Sequence, residues 1–247
     1  MASDVGVPNG SAKGAGALVE MQVGGWRVTT GPDAEAGALA LRAAVFRGGR
    51  ADRDAFDDTA THLTISDAEG PAACARLALL RGETIARGYT GQSYDLAAFA
   101  ARHPVALEVG RVALAPDRRA PDLPRLLLAV LARTVLEEGA AALFGCASFP
   151  GARPRAGALG TLRDAIAPEA WRPATRAPET VAIADLPPAP PAPLPPMLRG
   201  YLAMGARISD HAVIDRDLGT THVFAGLPVA DIPEPRRRLL AAMLEPA

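Results

Sequence analysis

The chain has 247 residues, 49% hydrophobic and 21% charged; that length and usage bury a full core and exclude wholesale disorder, fibrous repeats and a disulfide-stapled miniprotein. A formal net charge of -1 at pH 7 disfavours nucleic-acid binding through a strongly basic face. Cys74 and Cys146 stand in apolar contexts without a Cys-x-x-Cys metal signature and suit a reducing compartment, so the cytoplasm is the expected location.

Residues 1–25 carry Asp4, several glycines and no apolar stretch of signal-peptide length, and they read as a flexible leader. No apolar run approaches the roughly 18 residues of a membrane-spanning helix. Residues 26–30 predict a strand, and Asp33 is placed to cap a helix running through Leu39, Leu41 and Phe46. A polar loop covers 48–61. Residues 62–66 and 73–80, joined by the turn-prone Asp67-Ala68-Glu69-Gly70, predict an antiparallel hairpin.

A short helix begins at Asp95. Residues 105–114 predict a strand, 123–138 an amphipathic helix stopped by Gly139, and 142–147 a buried strand, which together make a β-α-β unit. The proline-dense stretch 187–196 is an extended connector. Residues 197–204 resume as a helix, with strands over 212–214 and 222–227. The whole reads as one α/β domain over 26–230, followed by a C-terminal amphipathic helix in 231–247. That helix, led by Arg236, Arg237 and Arg238, either packs on the domain or touches anionic lipid.

Charge falls where a core would not ask for it. Arg42 sits in an apolar helix, Asp54 and Asp57 in the following loop, Arg76 in an apolar strand, and Glu108 with Arg111 in another. Unpaired burial of such groups costs several kcal/mol, so an internal ion-pair cluster is implied, either purely structural or part of a site. Strict alternation puts Glu108 and Arg111 on opposite faces; both serve one site only if Gly110 marks a bulge or the strand ends there. The four histidines, His62, His103, His211 and His222, have no ligand spacing, and no metal is predicted. Ser148 lacks a nucleophile elbow, which disfavours covalent catalysis by it or by Cys146.

These motifs carry a family resemblance. Arg42 with Phe46, Asp54-Ala55-Phe56-Asp57, Arg76-Leu77 and Glu108-Val109-Gly110-Arg111, in this order, resemble the acyl-homoserine-lactone synthases and their relatives in the GNAT superfamily. The string Leu143-Phe144-Gly145-Cys146-Ala147-Ser148-Phe149-Pro150-Gly151, with Pro195-Pro196-Met197-Leu198-Arg199-Gly200-Tyr201-Leu202 and Gly205-Ala206-Arg207, narrows the likeness to the ornithine-lipid N-acyltransferases. The resemblance covers about Leu41 to Val229. It implies a GNAT-like mixed, twisted β-sheet flanked by helices, and transfer of a 3-hydroxyacyl chain from acyl carrier protein to the α-amine of L-ornithine. The carrier thioester is then a co-substrate, with no permanently bound cofactor.

Under that resemblance Glu108 positions or deprotonates the amine, and a backbone amide near Gly110 or Arg111 stabilises the oxyanion. Asp54 and Asp57 bind a substrate cation, Arg42, Arg76 and Arg111 hold its carboxylate or lock the loop, and Phe46 and Ser148 contact substrate. The phosphate-cradling glycines of acyl-CoA enzymes are missing from 117–124, where Pro121 and Pro124 each remove an amide donor. Arg118, Arg119 and Arg125 are the candidates for meeting an acidic carrier protein. An amphiphilic product makes transient membrane contact sensible. The alternatives are a homoserine-lactone synthase, an N-acyltransferase for another amine, and a non-catalytic acyl-carrier or lipid-binding protein.

Overall fold

The computed structural model describes residues 20–118 and 121–244. Strands β1 (Glu20–Val23) and β2 (Trp26–Thr30) form a hairpin, so residues 20–23 are sheet where the sequence reading expected leader; residues 1–19 lie outside the described residues. Helix α1 (Pro32–Arg47) follows. Its N-cap is Gly31, and Asp33 sits in the first turn without a capping bond, contrary to the expectation. Ala34, Ala38, Leu41 and Arg42 form its buried stripe at helical spacing. Strands β3 (Thr61–Asp67) and β4 (Gly70–Arg81) make the expected hairpin.

A short strand β5 (Tyr94–Asp95) and helix α2 (Ala97–Arg102) lead to β6 (Val105–Leu114). Helix α3 (Leu123–Glu137) crosses over to β7 (Ala142–Pro150), which lies parallel to β6. The remainder is α4 (Ala156–Gly160), β8 (Ala174–Thr175), β9 (Thr180–Ala182), α5 (Pro196–Ala203), β10 (Arg207–Ile208), β11 (His211–Asp215), β12 (Thr220–Pro228) and α6 (Glu234–Ala242). Among the described residues the main sheet has the order β1-β2-β3-β4-β6-β7-β12-β11-β9, with β10 on β12 and β5 paired to β8 apart from it. This is the mixed α/β sheet the motifs led us to expect.

Alternation along the strands makes two layers. On one face Leu63, Ile65, Ala73, Ala75, Leu107, Val109 and Leu143 pack under the leucines of α3. On the other, Cys74 and Ala113 meet Ala38 and Leu41 of α1, while Ala106, Phe144 and Phe224 pack with Tyr94, Phe99 and Trp171.

Two irregularities in β6 shape the centre of this sheet. Toward β7, pairing is confined to Ala106, Leu107 and Glu108 against Ala142, Leu143 and Phe144, and beyond that point the strands splay. A Cβ on Gly145 would collide with the Val109 carbonyl oxygen, so glycine is required at the point of divergence. Toward β4, Cys74 pairs with Ala113 but Arg76 with Gly110, which sets Arg111 and Val112 opposite the single residue Ala75. That is a β-bulge. Arg111 adopts φ 48, a left-handed conformation that costs a non-glycine residue on the order of 1–2 kcal/mol.

Candidate active site

The bulge brings the charged residues together. Arg111, freed from alternation, reaches the face that carries Arg76 and Glu108, and its Nε and Nη2 donate to Asp52 and Asp54 at 3.1 and 3.0 Å. Arg76 Nη1 donates to Asp54 at 2.5 Å and to Asp57 at 3.3 Å. Arg42, delivered by the buried stripe of α1 and 0% exposed, donates through Nη1 and Nη2 to both oxygens of Asp57 at 2.6 and 3.0 Å and through Nε to Asp52 at 2.9 Å. Three buried guanidiniums thus meet three carboxylates. Burial alone would raise the Asp57 carboxyl, but the Arg42 bonds, the Asp54 backbone N–H and Arg76 hold it well below the usual range.

Asp52 was not among the expected residues, although it belongs to the same loop. Arg47 extends the network outward, from Asp52 at 3.1 Å to Asp217 at 2.7 Å. The loop itself is shaped by the 3-10 turn at Ala55–Asp58, where Asp54 accepts the Phe56 N–H and Asp57 accepts the Asp54 N–H.

Glu108 lies beyond this network, next to the Gly88-Tyr89-Thr90-Gly91 turn. Its carboxylate oxygens accept the backbone N–H groups of Tyr89 at 3.1 Å and Thr90 at 2.6 Å. The Tyr89 ring lies 4.7 Å from the Arg111 guanidinium, 5.2 Å from that of Arg76, and edge-on to Phe56 at 5.6 Å. Tyr89 is therefore gripped by its backbone from one side and by two cations over its ring from the other. The signal for it was the flanking glycines. A Cβ at Gly88 would press on Leu80 and Glu108, and one at Gly91 on the Ala86 carbonyl.

A cavity of about 510 Å³ opens where β6 and β7 splay. It passes from one face of the sheet to the other. Its walls are apolar at Val45, Phe46, Val112, Leu143, Met197 and Leu227, and its polar groups include Thr90, Arg111, Ser148, Asp215, Thr220 and His222. A smaller pocket of about 180 Å³ lies beside it against Phe56, Arg76, Arg87 and Glu108. Tyr89 and Gly110 line both.

Of the expected site residues, then, Phe46, Gly110, Arg111 and Ser148 line the large cavity, and Arg76 and Glu108 the small one. Arg42, Asp54 and Asp57 line neither. The Asp57 carboxylate accepts from Arg42, Arg76 and the Asp54 N–H. The bulge is present as required, but the residue in the left-handed conformation is Arg111, not Gly110. At Gly110 a Cβ would reach only ordinary contact with Arg76.

The three arginines expected at a carrier protein separate as well. Arg118 is taken up by Asp67 and Glu69 at 2.7 Å each. Arg119 lies outside the described residues, and Arg125 is exposed beside Asp122 at 3.2 Å. Burial pushes both cysteine thiols up to about 12, so neither supplies a thiolate near neutral pH. Among the described residues no helix is long and apolar enough to cross a membrane.

Comparison with known proteins gives the family and the fold. Residues 40–129 match the acetyltransferase (GNAT) domain family. An L-ornithine N(alpha)-acyltransferase of Agrobacterium fabrum is 32% identical over 201 residues, 73% of this chain and 68% of the relative. Another from Rhodobacter capsulatus is 30% identical over 218 residues, 79% of this chain and 82% of the relative. The chain belongs to the L-ornithine N(alpha)-acyltransferase family. In fold it is similar to FeeM, an N-acyl amino acid synthase from uncultured soil microbes, with TM-score 0.51 and 12% identity across 82% of this chain and 95% of that one. The scaffold is that of a GNAT acyltransferase.

Two expectations follow for this family member. Arg42→Ala leaves Asp52 and Asp57 buried without their main partner, and urea unfolding should show a loss of about 3–5 kcal/mol. The second concerns pH. Burial brings the His222 imidazole down to about 4, against the pull of Asp215, while the unfolded chain protonates it near the ordinary 6.5. This stability is fully present above pH 6.5 and is lost as the pH falls toward 4, by about 3 kcal/mol from His222 alone. His62 and His103, also lowered mainly by burial, add to the same slope. Unfolding measured between pH 7.5 and 4.5 should show it, and His222→Asn should flatten it.

Proposed function

We propose that this protein transfers a fatty acyl group from a thioester to the α-amine of L-ornithine, and that the donor is a 3-hydroxyacyl chain on acyl carrier protein. The observation that carries this reading is the cavity between β6 and β7. At about 510 Å³ and with largely apolar walls it has room for an acyl chain, and Arg111, Ser148, Asp215 and Thr220 add polar groups to its lining. A family whose members are named for ornithine acylation supplies the acceptor.

Beyond Glu108 the edge of β6 facing β7 has no ladder partner, and a backbone N–H on that edge, near Gly110 or Arg111, is the group assigned here to a thioester carbonyl in the cleft. There it acts as the oxyanion donor. The neutral amine nitrogen attacks the carbonyl carbon, the C–S bond breaks, and the sulfur leaves as a thiolate that takes up the one proton the amine has given to Glu108. Glu108 takes the amine proton, directly or through water, from its position behind Tyr89 and Thr90. Arg111, the one of Arg42, Arg76 and Arg111 that lines the large cavity, meets the acceptor carboxylate, and Ser148 contacts substrate at the mouth.

The start of α3 supports a carrier-bound donor over a nucleotide one. Asp122 stands at its N-cap and Pro124 in its first turn, so a carboxylate and a missing amide occupy the place where a pyrophosphate needs donors. Arg125, exposed at the same end, is the cation for an acidic carrier. The work is cytoplasmic in this reading, with transient contact at the inner face of the membrane as the amphiphilic product leaves.

Mass spectrometry of products formed from 3-hydroxyacyl carrier protein and a pool of amino acids tests the reading. Acyl-ornithine is expected; another acyl-amine or a lactone changes the acceptor, and carrier binding without product favours a non-catalytic protein. Glu108→Gln should lower kcat by about 100-fold or more, in the range of general-base loss, while the melting temperature moves by only a few degrees. Activity within threefold of the parent would sink the proton-acceptor role.

A further inference from the structure

We infer that Asp215 is the carboxylate that reads the side-chain ammonium of the acceptor amino acid, a role that rests on the ornithine reading above. Acylation consumes one amine of a diamino acid. That amine must be neutral to attack, whereas the other stays protonated and has to be seated in a cavity whose walls are mostly apolar. Such a charge is accommodated only against an opposite charge or a set of acceptors.

Asp215 meets the requirement by position. It ends β11, where it pairs with Thr220 of β12, two residues after Val213 pairs with His222. Val213 packs with Tyr94 and Phe224 on the face opposite α3, so alternation places Asp215 on that face too, beside Thr220 and His222 in the cavity wall. This is the same mouth that Arg111 and Tyr89 border from the β6 side. A zwitterionic acceptor lying across it presents its carboxylate to Arg111 and its distal ammonium to Asp215.

It meets the requirement by availability as well. Asp215 Oδ1 accepts the Leu218 N–H at 2.9 Å, and among the described residues no arginine forms a salt bridge with it. Its neighbours are all committed: Arg216 grips Glu179 at 2.7 and 2.6 Å, and Asp217 takes Arg47 at 2.7 Å. The other carboxylates near the site have other work, Asp52, Asp54 and Asp57 with arginines and Glu108, which accepts two backbone N–H groups, as the proton acceptor assigned above. The hydroxyl of Thr220, directly across the ladder, is buried without a hydrogen-bond partner, a second acceptor beside the carboxylate. An ammonium bound there satisfies both.

The test compares L-ornithine with L-norvaline, which has the same carbon chain and no second amine, on the full-length protein. In the parent, ornithine should be preferred. In Asp215→Asn, which keeps an oxygen for the Leu218 N–H, the ratio of kcat/KM for ornithine over norvaline should fall about 10- to 100-fold, the range of a lost charged hydrogen bond, chiefly through KM for ornithine. Asp215→Glu, one methylene longer, should move the preference toward the shorter L-2,4-diaminobutanoate. A ratio that stays within twofold of the parent in Asp215→Asn overturns the assignment even though acyl-ornithine is made. Should the parent acylate norvaline and not ornithine, the function reading itself falls, and this assignment with it.

Discussion

The pairing of Arg42 with Asp57 and Asp52 is the interaction on which the site rests. A guanidinium with no exposed surface is tolerable only if its donors are met by anions held in place. The loop after α1 meets them by turning at Ala55–Asp58 and offering three carboxylates inward. Those carboxylates also bind Arg76 and Arg111, and the pull on Arg111 accounts for a non-glycine residue sitting at positive φ. The bulge in β6 is thus stabilised by charge satisfaction on α1 and its loop. Without it, Glu108 and Arg111 would face opposite sides of the sheet.

The second constraint is the divergence of β6 and β7. Parallel strands linked through α3 would ordinarily continue their ladder, and the close approach of Gly145 to the Val109 carbonyl marks where this one stops. From there the opened edge of β6 faces a space instead of a strand. Because that space crosses the sheet, it joins an apolar compartment against α5 to a mouth on the α1 side that carries the polar groups. A reaction that joins a fatty chain to an amino acid needs those two environments in contact at one carbonyl.

Much of this was legible in the sequence. The hairpin of β3 and β4, the β-α-β unit and α1 follow from apolar periodicity and turn residues, and charges in apolar strands announced an ion-pair cluster. What escaped had weaker local marks. The strand at residues 20–23 is only four residues long, and its alternation of Glu20 and Gln22 with Met21 and Val23 is too short to set it apart from a leader. Asp52 looks like any loop aspartate until the loop is folded. Tyr89 is marked only by its flanking glycines and reaches the cavity through the turn that Glu108 anchors, while Asp215 reaches it only through a pairing between β11 and β12 far along the chain from that turn. Arg118 stood out as a free cation, but the β3–β4 hairpin turn supplies it with Asp67 and Glu69.

The contrast between motif residues and lining residues has a physical cause. Arg42, Asp54 and Asp57 stand out in the sequence because charge in such surroundings is costly, and the fold removes the cost by pairing them with one another. A fully paired charge has little left to offer a substrate: its donors or lone pairs are occupied, and exchanging a fixed partner for a mobile one gains nothing. Groups that recognise a ligand must be left incomplete by the protein itself. Of the groups proposed above to meet a ligand, the backbone edge of β6 belongs to the Glu108-Val109-Gly110-Arg111 motif, whereas Asp215 and Thr220 carry no motif. The charged motif therefore marks where the proposed site lies, while the proposed reading of the acceptor's second amine falls to Asp215 and Thr220, which the fold leaves without an ion-pair partner among the described residues.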